Sequence, residues 1–254
     1  MQHNNTQNDQ THFGSQIIAS DLKTAKVGEI FHAVAPHYDF MNDCLSLGLH
    51  RLWKRMAAAR AAIAPNHCIL DLACGTGDMA RHFAPILNPE GRVILADINA
   101  AMLQQGRDRL LNEGIFNGLC FAQLNAEALP FSSHTFDRIT MAFGLRNTTY
   151  PRKVLKELYR VLKKGGRAII LEFSKPTPGF FKKAYDAYSF QIIPKLGAWL
   201  CKDEASYRYL VESIRQHPDQ ETLKTWFLEA GFERCDYQNL SGGIVALHQG
   251  TKDC

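Results

Sequence analysis

The stretch Ile69-Leu70-Asp71-Leu72-Ala73-Cys74-Gly75-Thr76-Gly77-Asp78 is an apolar run that ends in a glycine loop and opens a helix. Gly75 and Gly77 let the backbone turn tightly and approach a ligand with no Cβ in the way, which is the physics of a nucleotide crevice. Asp97 follows Gly77 by twenty positions, at the end of the next β-rich run, where a carboxylate accepts hydrogen bonds from ribose hydroxyls. Taken alone, Gly75-x-Gly77-x-x-Ala80 fits a nicotinamide dinucleotide as well as it fits S-adenosyl-L-methionine. Asp71 shifts that balance. A carboxylate four residues before the glycines suits an amino-acid ammonium, directly or through water, and sits badly beside a pyrophosphate. The plainer reading is that Asp71 caps the loop by accepting backbone N–H groups.

Two further stretches carry polar groups to the same crevice. In Asn125-Ala126-Glu127-Ala128-Leu129-Pro130-Phe131, the Asn125 side chain and the Ala126 N–H can read the edge of an adenine. Phe143-Gly144-Leu145-Arg146-Asn147 closes a later strand and faces the place where a transferable methyl would lie. It lacks the Pro-Pro-aromatic signature of enzymes that methylate nucleobase amino groups, which argues against a nucleic-acid substrate.

The elements that must position these residues alternate short β-rich runs with amphipathic helices from His67 onward, the pattern of a parallel sheet covered on both faces. Strands are expected at 68–73, 92–97, 119–124, 136–143 and 167–173, with two more at 234–239 and 244–249 joined closely as a hairpin edge. Helices are expected at 78–87, 100–113, 151–162 and 220–230, with Asn99 as an N-cap and Gly114 as a stop. The fold class is therefore α/β and Rossmann-like, a seven-stranded, mostly parallel sheet with helices on both faces. A tail over 1–15 is expected to be disordered, because its Asn, Gln, His and Thr bury too little apolar surface. One domain fills 16–254, with a helical lid at 16–64 and a helical insertion at 175–217. Such additions are natural lids, since ligands on open sheets sit beyond the carboxyl ends of the strands.

Composition excludes more than it selects. The net charge of +4 comes from 29 basic and 25 acidic residues mixed along the chain, with no basic stripe for nucleic acid. No leader pattern and no run of about 18 apolar residues is present, so a cytoplasmic protein is expected. Seven cysteines without a C-x-x-C pair argue against a disulfide framework and against a zinc site, so no metal is expected.

From Thr11 onward the chain resembles the UbiE/COQ5 family of quinone-biosynthesis C-methyltransferases. The likeness rests on Thr11-His12-Phe13-Gly14, Tyr38-Asp39-x-Met41-Asn42-Asp43, His50-Arg51-Leu52-Trp53-Lys54-Arg55, the glycine loop and the two crevice stretches. It continues through Leu171-Glu172-Phe173-Ser174-Lys175-Pro176, Ser206-Tyr207-Arg208-Tyr209-Leu210 and His217-Pro218-Asp219-Gln220. It implies a class I methyltransferase fold and S-adenosyl-L-methionine as cofactor, with Thr76, Asp97, Asn125 and Ala126 matching the family's cofactor contacts. It also implies a prenylated quinol substrate and peripheral contact with the inner membrane, and leaves a homodimer or a quinone-biosynthesis complex as the open assemblies. Ala142 stands where relatives often carry a cofactor-contacting Ser, which implies one side-chain hydrogen bond fewer.

A quinol becomes a carbon nucleophile when one hydroxyl ionises, so catalysis must stabilise the quinolate, align the ring carbon with the methyl and remove a ring proton. Arg146, Asn147 and Tyr38 are the candidates. Arg146 is too basic to accept a proton and is assigned to the quinolate charge, orienting a water or Tyr38; the plainer reading is a salt bridge beneath the loop. His32 and His37 are alternative bases whose spacing demands no such role. A dehydrogenase and a nucleotide-binding regulator are the competing classes, and Arg146-Asn147 argues against the second. The aromatic and lysine-rich stretch 180–200 is the expected membrane contact, with an active-site lid or dimer surface as the plainer alternative.

Overall fold

The computed structural model describes residues 9–34, 42–43, 46–176 and 204–253. Its centre is a seven-stranded sheet in which β3 (Cys68–Leu72), β4 (Arg92–Asp97), β5 (Leu119–Gln123), β6 (Phe136–Ala142) and β7 (Leu162–Phe173) run parallel. The order is β5-β4-β3-β6-β7-β9-β8, where β8 (Arg234–Leu240) and β9 (Val245–Thr251) form the closing hairpin and β9 runs antiparallel to β7. The chain steps outward from β3 to β5, then returns to β6 on the other side of β3. That reversal leaves a crevice beyond the carboxyl ends of the central strands.

Strand residues alternate between two cores. Leu70, Leu72, Ile139 and Met141 pack with α5 (Pro151–Val161) and α7 (Gln220–Glu229), while Ile69, Val93, Leu95 and Leu171 pack with α2 (Leu49–Ala61) and α3 (Ala80–Phe83). Neighbouring residues 69 and 70 thus serve opposite faces, as the two-residue period of a strand requires. Helix α4 (Ala100–Asn112) begins at Asn99, whose side chain accepts the N–H groups of Ala101 and Met102 at 3.0 and 3.2 Å.

All seven expected strands are present, with small changes of boundary. β7 starts five residues early because Leu162 pairs with Phe136 before a bulge. The helix expected at 78–87 is shorter, since Pro85 lacks an N–H and the turn Ala84–Ile86 is 3-10.

The expectation of a disordered tail over 1–15 is corrected at its end. β1 (Gln10–Phe13) pairs antiparallel with β2 (Gln16–Ala19), and the Phe13 ring stacks on Tyr209 with centroids 4.7 Å apart. That partner lies on α6 (Glu204–Gln216), so no local composition could reveal it. Of the expected lid over 16–64, β2, α1 (Ser20–Val34) and α2 are described; of the insertion at 175–217, α6 is. Tyr38, His37 and the stretch 180–200 lie outside the described residues.

Candidate active site

The glycine loop leaves β3 through three positive φ angles, at Ala73 (50°), Gly75 (54°) and Gly77 (80°). An L-residue resists this region, so glycine is required at two of the three positions and Ala73 is held there under strain. Helix α4 crosses close behind, and a Cβ on Gly106 would stand 2.9 Å from the Gly75 carbonyl oxygen. Thr76 is buried in this loop, and its hydroxyl accepts from Arg109 Nη1 at 3.2 Å. Arg109 and Lys54 also converge on Asp78, at 3.1 and 2.6 Å. Burial alone would raise the Asp78 carboxyl, but Lys54 and Arg109 hold it at about 2.

Asp71 lies beneath the loop, 1% exposed. The register pairs it with Thr140, whose hydroxyl donates to Asp71 Oδ1 at 2.6 Å. It does not cap the loop. Its Oδ2 is buried with no partner among the described residues. Burial raises the carboxyl to about 7, against the Thr140 hydrogen bond and the charge of Lys54. A lone acceptor of this kind favours an incoming cation, because pairing offsets the cost of its desolvation.

Asp97 ends β4 at the mouth of the cleft. Its Oδ2 accepts the Gly75 N–H and its Oδ1 the Asn99 N–H, both at 2.9 Å, so it also fixes the glycine loop. Each oxygen keeps a second lone pair for a hydroxyl. Burial raises its pKa, and the two N–H groups oppose that rise. Across the cleft, Asn125 Oδ1 accepts the Glu127 N–H at 2.9 Å, which presents the amide nitrogen and the neighbouring Ala126 as the polar edge.

The cleft lined by Asp97, Asn125 and Ala126 has about 710 Å³ of empty space, its open mouth included. Helix α1 covers one side with Thr24, Val27, Gly28 and Phe31. Two buried charges hold α1 and the adjoining loop in place. Lys23 Nζ donates to the Thr148 carbonyl at 2.8 Å, and Glu127 Oε1 accepts the Thr149 and Tyr150 N–H groups at 2.6 and 3.1 Å. Burial lowers the Lys23 pKa, and the nearby Glu127 counters it.

At the end of β6 the chain turns through Phe143, at φ 58°. Arg146 makes the salt bridge of its plainer reading. Its Nη1 donates to Glu172 Oε1 at 2.8 Å and to the Phe143 carbonyl at 2.5 Å, with the two side chains 6% and 1% exposed. Neither Arg146 nor Asp71 lines the cleft itself; Asp71 lies behind Leu72 and Ala73, which do line it, and Arg146 ties the 143–147 loop to β7. Gly144, Asn147 and Thr148 are the members of this segment that reach the cleft. Asn147 Oδ1 accepts from Tyr209 Oη at 3.1 Å, and burial pushes that phenol up to about 12, so it stays a donor. Among the described residues no cluster of metal-ligating side chains forms.

Sequence reasoning passed over Thr140 and Lys23, and gave Glu172 and Tyr209 no role beyond their place in the family motifs. Glu172 carried the clearest signal, a carboxylate in the buried run Ile169-Ile170-Leu171-Glu172-Phe173, which requires a cationic partner. Thr140 is visible only through the register of β3 on β6.

The strand order and the crevice are those of the class I methyltransferase fold. A methyltransferase from Aquifex aeolicus, described as SAM-dependent, matches with a TM-score of 0.56 at 16% identity over 78% of this chain and 88% of its own. The [4+2]-cyclase SpnF matches at 0.62, with 20% identity over 86% and 75%, so this fold also carries other chemistry. The chain belongs to the ubiE/COQ5 methyltransferase family, whose model matches residues 19–252. Among similar proteins, the "Ubiquinone/menaquinone biosynthesis C-methyltransferase UbiE" of Coxiella burnetii (strain RSA 331 / Henzerling II) is 56% identical over 95% of this chain and 97% of its own. The protein of that name from Pseudomonas paraeruginosa (strain DSM 24068 / PA7) is 52% identical over 95% and 94%.

Proposed function

We propose that this methyltransferase uses S-adenosyl-L-methionine to methylate a ring carbon of prenylated quinols. The reactions are demethylmenaquinol to menaquinol, and 2-methoxy-6-polyprenyl-1,4-benzoquinol to its 5-methyl derivative. The observation that carries the cofactor is the buried Asp71 oxygen without a partner beneath the glycine loop, a cation seat where a dinucleotide would bring phosphates. The quinol class is supported by the printed names of the relatives.

S-adenosyl-L-methionine, when bound, supplies the electrophilic methyl. Asp71 would face its ammonium, Asp97 its ribose hydroxyls, and Asn125 with Ala126 its adenine edge, around the strained Ala73-Gly75-Gly77 turn beside Thr76. Asn147 would orient the quinol, held in place by Tyr209. Arg146 is a positioning residue here, and Tyr38 is proposed as a further group acting on the ring hydroxyl. Helix α1, covering one side of the cleft, would limit the access of water to the electrophilic methyl. In this reading the protein works in the cytoplasm, peripherally at the inner membrane where its substrate resides; no helix among the described residues is long and apolar enough to cross a membrane.

Calorimetry with S-adenosylhomocysteine and NADH tests the site. The first should bind and the second should not, and Asp97→Ala should cost about 1.5 to 3 kcal/mol of the first's affinity, the range for hydrogen bonds to a charged group. Binding of NADH, or an unchanged affinity in Asp97→Ala, would contradict the assignment.

A further inference from the structure

Helix α2 presents two faces of different character. His50, Trp53, Lys54, Ala57 and Ala61 are buried, and Trp53 donates to Ser241 Oγ at 3.0 Å while its ring meets Phe143 at 6.3 Å. The outer flank of the helix carries Leu49, Leu52, Met56 and Arg60, spaced three or four residues apart, with Arg55 next to Leu52 and with Met56 packed partly against the core. Leu49 and Leu52 are 41% and 50% exposed, Met56 is half-buried, and Arg55 and Arg60 are exposed. The turn before the helix adds Leu47, 80% exposed at φ 50°, a strained conformation that leaves a large apolar side chain in water. Among the described residues, these three leucines are left exposed.

Behind this face lies a hollow lined by Arg51, Lys54, Arg55, Arg81, Arg109 and Asp78, where Asp43 also pairs with Arg51 and Glu113 with Arg81 and Arg109. Asp78 belongs to the end of the glycine loop, so the hollow backs onto the candidate active site. Exposed leucines beside arginines match the boundary of a bilayer, where apolar side chains enter the acyl region and guanidinium groups meet headgroup phosphates.

We propose that the outer face of α2, with Leu47, is the surface by which this protein docks on an anionic phospholipid membrane. The site at the carboxyl edge of the sheet would then stand next to the bilayer, where a prenylated quinol resides. That consequence rests on the quinol reading above; the docking itself does not.

The test is sedimentation of the full chain with vesicles of phosphatidylcholine alone and of phosphatidylcholine containing phosphatidylglycerol. The parent should bind the anionic vesicles and release as salt is raised. The pair Leu49→Gln with Leu52→Gln, and separately Arg55→Glu with Arg60→Glu, should each weaken binding about tenfold or more. S-adenosylhomocysteine affinity should be unchanged in both, which shows that the fold and the cofactor site are intact. A third variant replaces Lys182, Lys183 and Lys195 by Glu. The proposal is overturned if the parent ignores anionic vesicles, if both α2 variants sediment as the parent does, or if the lysine variant alone loses binding. Turnover of a short-tailed, soluble quinol is measured separately, so failure of the quinol reading registers in that assay and not in the vesicles.

Discussion

Asp71 is the residue on which the site's electrostatics turn. A carboxyl held at about 7 by burial is largely protonated in weakly acidic solution, and an ammonium placed against it favours the charged form. Binding of S-adenosylhomocysteine at about pH 6 should therefore release up to one proton, read as a binding heat that changes with the ionisation enthalpy of the buffer. Asp71→Asn should abolish the release. Equal heats in all buffers would mean that Asp71 does not meet the ammonium. Asp97 was visible in the sequence for the same kind of reason, its distance from the glycines. Its second task, accepting the Gly75 N–H, was not, because a backbone contact leaves no mark on residue type.

The 143–147 loop is held by an ion pair between two elements, Arg146 at the end of β6 and Glu172 on β7, both nearly inaccessible. Removing one partner leaves a buried charge alone, so Arg146→Ala should lower the unfolding free energy by about 3 to 5 kcal/mol in denaturant titrations. A stability within 1 kcal/mol of the parent would place Arg146 in an open, chemical role instead. Elements with strong local signals were legible: β3 to β6 from their apolar runs, and α4 from Asn99 and the stop at Gly114. Those that depend on distant partners were not. The β1–β2 hairpin exists because Phe13 meets Tyr209 and the Ser15 N–H meets Glu212 Oε2 at 2.8 Å, contacts that span most of the chain. The Arg146–Glu172 pair was hidden for a related reason, since the partner of Arg146 lies one strand away.

For the whole molecule, buried titratable groups set the pH window. Burial lowers His217 and His248 to about 4, below the ordinary 6.5, so the unfolded chain binds more protons than the folded one between those values. Their contribution is present above about pH 6.5 and is lost as pH falls towards 4, by at most about 3 kcal/mol each. Asp71 works in the opposite direction. Its raised pKa means the folded chain holds the extra proton, so its contribution declines as pH rises from about 4 to 7. Asp97 is raised as Asp71 is, while His50, His67 and His82 are lowered as His217 and His248 are. The histidines together outweigh the two aspartates, so stability should fall from pH 6.5 to 4 in denaturant titrations, and replacing His217 and His248 by Gln should flatten that slope. A parent chain equally stable at both ends would contradict the burial of these rings.

The central claim joins the fold, the cleft and the family in one reaction, methyl transfer to a quinol ring carbon. Its most direct test incubates the purified chain with S-adenosyl-L-methionine bearing a labelled methyl and a short-tailed demethylmenaquinol, followed by mass analysis of the product. The account predicts a product heavier by one labelled methyl, carried on ring carbon and stable to treatments that cleave methyl ethers, formed in step with S-adenosylhomocysteine. Label found on oxygen, or a quinol recovered unchanged while the cofactor site is shown to be filled, would contradict it.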